Sequence, residues 1–394
     1  MIKILLVSPF SKDANSYYRA LGPWNYLAKQ NRKRRYRHTQ DLDAANVPEV
    51  EIRVAQDSIG VQGIAWDVVD QFDLVFMHRP CRNEDITIMK VAYNLGVPVW
   101  VDYDDWLFDV PYWNPVRGQY MNPAVHQAIA MCIGCADVVS VSTAALYDKL
   151  KLVNPNVVIL PNMYREDLYK YRASQPPERK NAFAWRGTAT HDMDLLSVKD
   201  GWKMLPDKVT FFGGPYWGLL SEMRQGSYDV VGAQDPFLYM KAIYDFAPKV
   251  MLVSLVDNLF NRVKSNIAYQ EALHAGAVCV APDMLEWQRP GVITYEPGNS
   301  MSFLHAATQA YEMSEEARAE AVHHAFTHMQ ELYGAPHINR IRENVLEAVA
   351  TGKYEKNPRS PWDEFVGLWV QGRLKGSPVQ NVSEEALKAK GLAV

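Results

Sequence analysis

Short apolar runs and amphipathic stretches alternate along most of the chain, and this alternation predicts parallel α/β architecture. Residues 2–8 are continuous enough in apolar side chains to read as a strand covered on both faces. Residues 15–30 carry Tyr18, Leu21 and Leu27 among their apolar positions and predict a helix. Val50–Ala55, Leu74–His78, residues 97–101, Val138–Val141 and residues 157–160 predict further strands, about six in a first half. Residues 123–133 predict a helix between two of them. A polar stretch, residues 169–181, with Gln175-Pro-Pro177 and mixed charges, reads as a linker. The pattern then restarts, with strands at 182–186, 209–212, Tyr228–Val231, 250–255, 278–281 and Val292–Tyr295, and helices at Pro236–Phe246 and 265–275. Helices at 314–333 and 338–350 follow, and the last forty or so residues are polar and partly irregular. The expected organisation is an N-terminal acceptor-side Rossmann-like domain over 1–165 and a C-terminal nucleotide-sugar-binding one over 180–332. Residues 333–394 form helices and a polar tail that pack back on the first domain. Two doubly wound halves of this kind are expected to face an interdomain cleft with the carboxyl ends of their strands, where such sheets bind ligands.

Composition narrows the function classes. A chain of 394 residues is too long for one ordinary core, and 48% apolar with 22% charged residues is globular. A formal charge of −4 gives no global attraction to nucleic acid or an anionic membrane, so a polyanion site has to be a local patch. No apolar run approaches the ~20 residues needed to cross a bilayer, and the start reads as a first strand rather than a signal peptide. Four cysteines, Cys81, Cys132, Cys135 and Cys279, are too few for a disulfide framework. Cys132-Ile-Gly-Cys135 has no further ligand pair for zinc and reads as core packing. A reducing cytoplasm, that of a host if the chain is viral, is the expected location.

Neither G-x-G-x-x-G nor G-x-x-x-x-G-K-[ST] occurs, and G-x-S-x-G and H-E-x-x-H are absent too. The most informative run is Leu255 to Pro282. A strand ends in a polar loop, and Ser265 can cap a helix whose amino end, with Asn261, Arg262 and Lys264, makes a diphosphate cradle. Glu271, two turns into that helix and seven residues after Lys264, can accept hydrogen bonds from ribose hydroxyls. The alternative is an ordinary capped helix with solvated charges.

From Ala182 to about Pro297 the chain resembles the nucleotide-sugar domain of GT-B glycosyltransferases, close to family 4. Glu271-Ala-Leu-His-Ala-Gly276-Ala-Val-Cys-Val-Ala is similar to that family's second glutamate and the turn and strand after it, which implies ribose recognition by Glu271. The family's first glutamate falls at Val263 here. Phe260-Asn-Arg-Val-Lys-Ser265 is similar to a divergent branch with Asn and Lys in that place. Ala184-Trp-Arg-Gly-Thr-Ala-Thr-His-Asp-Met-Asp194 resembles the glycine turn that approaches the donor phosphates, with Arg186, Gly187, Thr188 and His191 as candidates. Phe211-Phe-Gly213-Gly214 resembles the strand turn beside the nucleotide base. Val139 to Thr143 and Ile159-Leu-Pro-Asn162 resemble the strand ends that finish the first domain. The resemblance spans roughly residues 1–350. It implies a nucleotide diphosphate sugar as donor, UDP-linked ahead of GDP-linked, retention at the anomeric carbon and no obligatory metal.

In the first half, Asp102-Tyr-Asp104-Asp105-Trp-Leu-Phe-Asp109 follows a strand. Asp104 or Asp105, with Asp102 beside them, can orient or deprotonate an acceptor hydroxyl; the alternative is capping and loop turns. Asp102-x-Asp104 also matches the D-x-D that holds Mn²⁺ or Mg²⁺ in single-domain GT-A enzymes, which lack a second wound half. Tyr18 and Arg19 are acceptor or phosphate candidates, with a surface ion pair the alternative for Arg19. Trp106 with Phe108, Tyr112 and Trp113 forms an acceptor platform or packs. His78 reads as a core or loop histidine. Arg32-Lys-Arg34-Arg35-Tyr-Arg37-His38 reads either as a solvated loop after the first helix or as a phosphate contact to DNA. The expected acceptor is a saccharide. A hydroxymethylated base in DNA, as in viral DNA-modifying glycosyltransferases, and a non-catalytic sugar-nucleotide- or DNA-binding protein are the alternatives.

Overall fold

The computed structural model describes residues 2–7, 14–37, 50–55, 69–165, 181–355, 357–363 and 365–375. Its contacts divide the chain into two compact units. Unit 1 comprises residues 1–108, 119–163 and 336–394; unit 2 comprises 109–118 and 164–335. Among the described residues no helix is long and apolar enough to cross a membrane.

Unit 1 is built on β1 (Ile2–Val7), β2 (Val50–Ala55), β3 (Leu74–His78), β4 (Val99–Tyr103), β5 (Val138–Val141) and β6 (Val157–Ile159). They form one parallel sheet in the order β2-β1-β3-β4-β5-β6. β3, β4 and β5 are buried along their whole length, as their unbroken apolar runs require. Trp24, Phe76 and Trp100 meet edge to face above this sheet, with ring centroids 5.1–5.4 Å apart.

The first helical region differs from the expectation in two ways. It is broken into Ala14–Tyr18 and Leu21–Arg37. Pro23 has no N–H and is tolerated only in a first turn, so a new helix starts just before it. The second helix also runs through the basic segment to Arg37, which is therefore helical rather than a loop. The side chains of residues 32–37, Arg34 and Arg35 included, lie outside the described residues, as does His38. The expected linker falls almost entirely outside them too.

The end of unit 1 left irregular by the sequence carries a helix, Phe365–Leu374, which packs on Pro123–Cys135 through Val366 and Val370. A Cβ at Gly134 would press on both valines at under 3 Å, so the close approach requires glycine there. All four cysteines are buried and free. Burial pushes the Cys81 thiol up to about 11 and the Cys135 thiol up to about 12, which suits packing rather than reactivity.

Arg19 is not at the surface. It is 1% exposed and forms a forked pair with Asp102, which is fully buried at the end of β4. Arg19 also donates to the Leu160 carbonyl. The Asp102 carboxylate further accepts from the Ser140 hydroxyl and meets His78 Nδ1 at 3.0 Å. Burial by itself would raise the Asp102 carboxyl. The charge of Arg19 and the hydrogen bonds from His78 and Arg19 outweigh it and hold the group well below the usual carboxylate range. The network joins the ends of β3, β4 and β5 to the segment following β1. A second buried guanidinium, Arg342, is less well served. It donates to Asn339 Oδ1 at 3.2 Å, while its Nε and Nη2 find no hydrogen-bond partner among the described residues. Burial, with repulsion from Arg19 added, brings it down to about 9.

Unit 2 repeats the plan with β7 (Asn181–Gly187), β8 (Val209–Gly213), β9 (Tyr228–Val231), β10 (Pro248–Leu252), β11 (Val278–Pro282) and β12 (Val292–Tyr295). The order is β12-β11-β10-β7-β8-β9, again all parallel. From β7 the chain winds outward through β8 and β9, then crosses back to place β10 on the other side of β7. The loops after β7 and β10 therefore diverge, leaving a crevice at their carboxyl ends.

Replacing Asp102 by Asn is expected to cost about 3–5 kcal/mol, because Arg19 is left buried without its countercharge. Chemical denaturation checks this. The folded-state pKa of Asp102 lies below its unfolded value of about 3.9. Its contribution is therefore full above that pH and lost as pH falls, so wild-type stability should drop more steeply on acidification than that of the variant.

Candidate functional site

The crevice of unit 2 begins with a glycine crossing. β8 ends at Gly213 with φ +108°, a region that L side chains rarely adopt, and a Cβ there would overlap the Gly187 carbonyl oxygen. Gly214 donates its N–H to that same carbonyl at 3.0 Å. At Gly187 a Cβ would run into the Trp185 indole and approach His191 Cδ2 to 3.1 Å. The ends of β7 and β8 therefore cross too closely for Gly187 or Gly213 to carry a side chain. Thr188 follows, its hydroxyl 2.9 Å from that of Thr190. A single 3-10 turn, Ala189–His191, leads into the helix Asp192–Leu196.

The loop after β10 is bound to this turn by one carboxylate. Asp194, 2% exposed, accepts through Oδ1 from the Val256 N–H and from Asn261 Nδ2, both at 2.8 Å. Its Oδ2 faces His191 Nδ1 at 2.8 Å. Asn261 also donates to the Val256 carbonyl at 2.9 Å. The short helix Leu259–Arg262 is capped by Asn258, whose Oδ1 accepts from the Asn261 N–H at 2.9 Å. Two polar groups of this loop are buried without a hydrogen-bond partner among the described residues: the Ser254 hydroxyl and Asn258 Nδ2.

Arg186, Glu271 and Tyr239 come together from three elements. Arg186 Nε lies 2.6 Å from Glu271 Oε2, and the Tyr239 hydroxyl donates to the same oxygen at 3.1 Å. Glu271 is nearly buried, whereas Arg186 keeps 29% of its side chain exposed. Burial and then the Glu271 charge push the Tyr239 hydroxyl well above its ordinary value. Lys264 places its Nζ 4.5 Å from the Phe260 ring centroid. Its charge, like that of Arg186, also acts on His191. His191 is held below its usual pKa chiefly by burial, with Lys264 and Arg186 adding to the effect and Asp194 opposing it.

The helix starts later than expected, its cap position one residue past Ser265. The helix runs Ile267–His274, with Asn266 at the cap position and no side-chain cap bond. Asn266 instead spends its amide inward, on the Glu286 carbonyl and the Tyr333 hydroxyl. Arg262 is turned to its own loop, pairing with Asp257 and donating through Nη2 to Asp257 Oδ2 at 2.7 Å. Glu271 pairs with Arg186 of β7.

In unit 1, Asp104 and Asp105 share Arg79. Arg79 Nε pairs with Asp104, and Nη2 donates to Asp105 Oδ2 at 2.6 Å. Arg79 adopts φ +49°, an uncommon conformation for a non-glycine residue. Asp102 and Asp104 are thus held by different arginines. Trp106 and Tyr18 are buried at 4% and 6% exposure, Trp106 with Lys149 Nζ 5.7 Å from its ring. Asp194, Tyr239, Ser254 and Arg79 were not among the residues expected from sequence. For Asp194 a signal existed, since His191 and Asp194 are three apart at the start of a helix.

No protein-family model and no curated protein sequence matches the chain. Solved structures do. One is Anabaena Alr3699/HepE, crystallised with UDP. It is 12% identical, with a TM-score of 0.59 over 88% of this chain and 100% of its own. The chain has the GT-B fold. An α,α-trehalose-phosphate synthase (UDP-forming) from Burkholderia vietnamiensis is 11% identical, with a TM-score of 0.54 over 89% of this chain and 100% of its own. AviGT4, a glycosyltransferase involved in avilamycin A biosynthesis, is 10% identical, with a TM-score of 0.51 over 89% and 99%.

Gly213→Ala is expected to destabilise unit 2 by about 1–3 kcal/mol through backbone strain alone, and further through the overlap with Gly187. Thermal unfolding reads this directly. Gly226→Ala, also at positive φ but with open space around it, should cost less.

Proposed function

We propose that the chain is a glycosyltransferase that binds a nucleotide diphosphate sugar in unit 2 and passes the sugar to an acceptor hydroxyl. The observation that carries this reading is the gathering of Arg186, Lys264 and His191 where β7 and β10 part, beside the glycine crossing. That arrangement suits a diphosphate: the cations meet the charge that grows on the leaving oxygens as the anomeric C–O bond breaks. Glu271 would take the ribose hydroxyls and Asn261, Thr188 and Ser265 the polar rim of the donor, with Gly213 and Gly214 beside the base. Arg262 would add to the cradle only on leaving Asp257. The neighbour crystallised with UDP supports a uridine nucleotide.

On the acceptor side, unit 1 would supply Asp104 and Asp105, with Arg79 holding them. The new bond forms from the acceptor oxygen to the anomeric carbon, and the acceptor proton leaves to a carboxylate or to the departing phosphate. Retention at the anomeric carbon, a saccharide acceptor and independence from metal are what the family resemblance supports. A DNA acceptor rests on the basic run 32–37 alone.

The test is turnover with a panel of UDP- and GDP-sugars. Lys264→Ala and Glu271→Ala should each weaken donor binding about tenfold to a hundredfold, the worth of one or two charge-assisted hydrogen bonds. Unchanged affinity and turnover in both variants would remove the donor site from this crevice.

A further inference from the structure

Asp194 makes more contacts than a loop tie requires. One oxygen accepts from Val256 and Asn261 and so anchors the loop after β10. The other faces His191 Nδ1 at 2.8 Å. A carboxylate can only accept here, so Nδ1 must carry the ring proton, and Nε2 of the neutral ring is left as a lone-pair atom.

The charges around this ring come from three elements. Asp192 and Asp194 lie on the helix that His191 precedes, Arg186 on β7, and Lys264 just after the Leu259–Arg262 helix. Arg186 is tied in turn to Glu271. The side chain is four-fifths buried but not sealed, with 20% exposed.

We propose that Asp194 is a positioning residue that locks His191 in the Nδ1–H tautomer, so that Nε2 takes up a proton when the donor diphosphate binds. The proton-uptake half rests on the donor site proposed above; the tautomer half does not. In the free protein the two cations and burial keep the ring neutral. A diphosphate placed between Arg186 and Lys264 cancels their charge and offers Nε2 an anionic acceptor, which favours the imidazolium. The imidazolium then donates from Nε2 to the phosphate while Nδ1–H stays on Asp194. Donor binding and protonation are linked, and affinity rises as pH falls through the interval between the free and bound pKa values of His191.

Asp194→Asn separates the two functions of the carboxylate. If the amide oxygen keeps Val256 and Asn261, the NH₂ is turned on His191 Nδ1 and forces the opposite tautomer, Nε2–H. Nitrogen-15 NMR of the free protein, with the His191 signals assigned through His191→Gln, should therefore show Nδ1–H in the wild type and Nε2–H in the variant. UDP-glucose is the binding probe because its diphosphate has no group titrating near neutral pH. Calorimetry in buffers of different ionisation enthalpy should find uptake approaching one proton in the wild type, with affinity strengthening by up to tenfold per unit fall in pH. Asp194→Asn and His191→Gln should both lose the uptake and flatten the pH profile. An unchanged tautomer in Asp194→Asn, or equal proton uptake in all three proteins, overturns the proposal. If the wild type does not bind UDP-glucose at all, the donor site and the uptake fail together. The tautomer comparison then decides the role of Asp194 by itself.

Discussion

Everything in unit 2 turns on how positive charge is held at the carboxyl ends of β7 and β10. Arg186 and Lys264 supply it beside a neutral His191 ring, and two buried carboxylates, Glu271 and Asp194, hold Arg186 and His191 in place. Each carboxylate is shared among partners from different elements, so neither can move without disturbing a loop that lines the crevice. Gly187 and Gly213 let the ends of β7 and β8 cross closely at the same place. The charge thus gathers at the reversal of strand order, which is where a parallel sheet offers room for a ligand.

Unit 1 has the same winding and handles its charge differently. Where unit 2 leaves Arg186 partly exposed, unit 1 buries Arg19 and pairs it with Asp102 and the Leu160 carbonyl. His78 and Ser140 complete the Asp102 carboxylate. Those groups hold the sheet ends together and have little capacity left for a ligand. A second, slightly more exposed charge group lies one step further along the chain, where Arg79, at positive φ, grips Asp104 and Asp105. Backbone strain beside partly exposed charge is a pattern that accompanies functional loops.

Much of the fold was legible in the chain because parallel strands buried on both faces leave unbroken apolar runs, such as Leu74–His78 and Val138–Val141. The helix Phe365–Leu374 was not. Two glycines lower its propensity, and its exposed Phe365, Leu368 and Trp369 blur the apolar stripe formed by Val366, Val370 and Leu374. In the candidate site, a family resemblance singles out Arg186, His191 and Glu271, and the structure pairs Arg186 with Glu271. Their partners were hidden by sequence distance. Tyr239 reaches Glu271 across 32 positions and Asn261 reaches Asp194 across 67, and no local pattern reports such pairs. The start of the Ile267–His274 helix is set in part by such distant partners, since Asn266 at its cap position donates to the Glu286 carbonyl and the Tyr333 hydroxyl.

The most direct measurement is a crystal structure of the protein soaked with UDP. Both phosphates should lie at the carboxyl ends of β7 and β10, within hydrogen-bond reach of Arg186 and Lys264, with the ribose against Glu271. Density for the nucleotide anywhere else, with that crevice holding only solvent, would contradict the account.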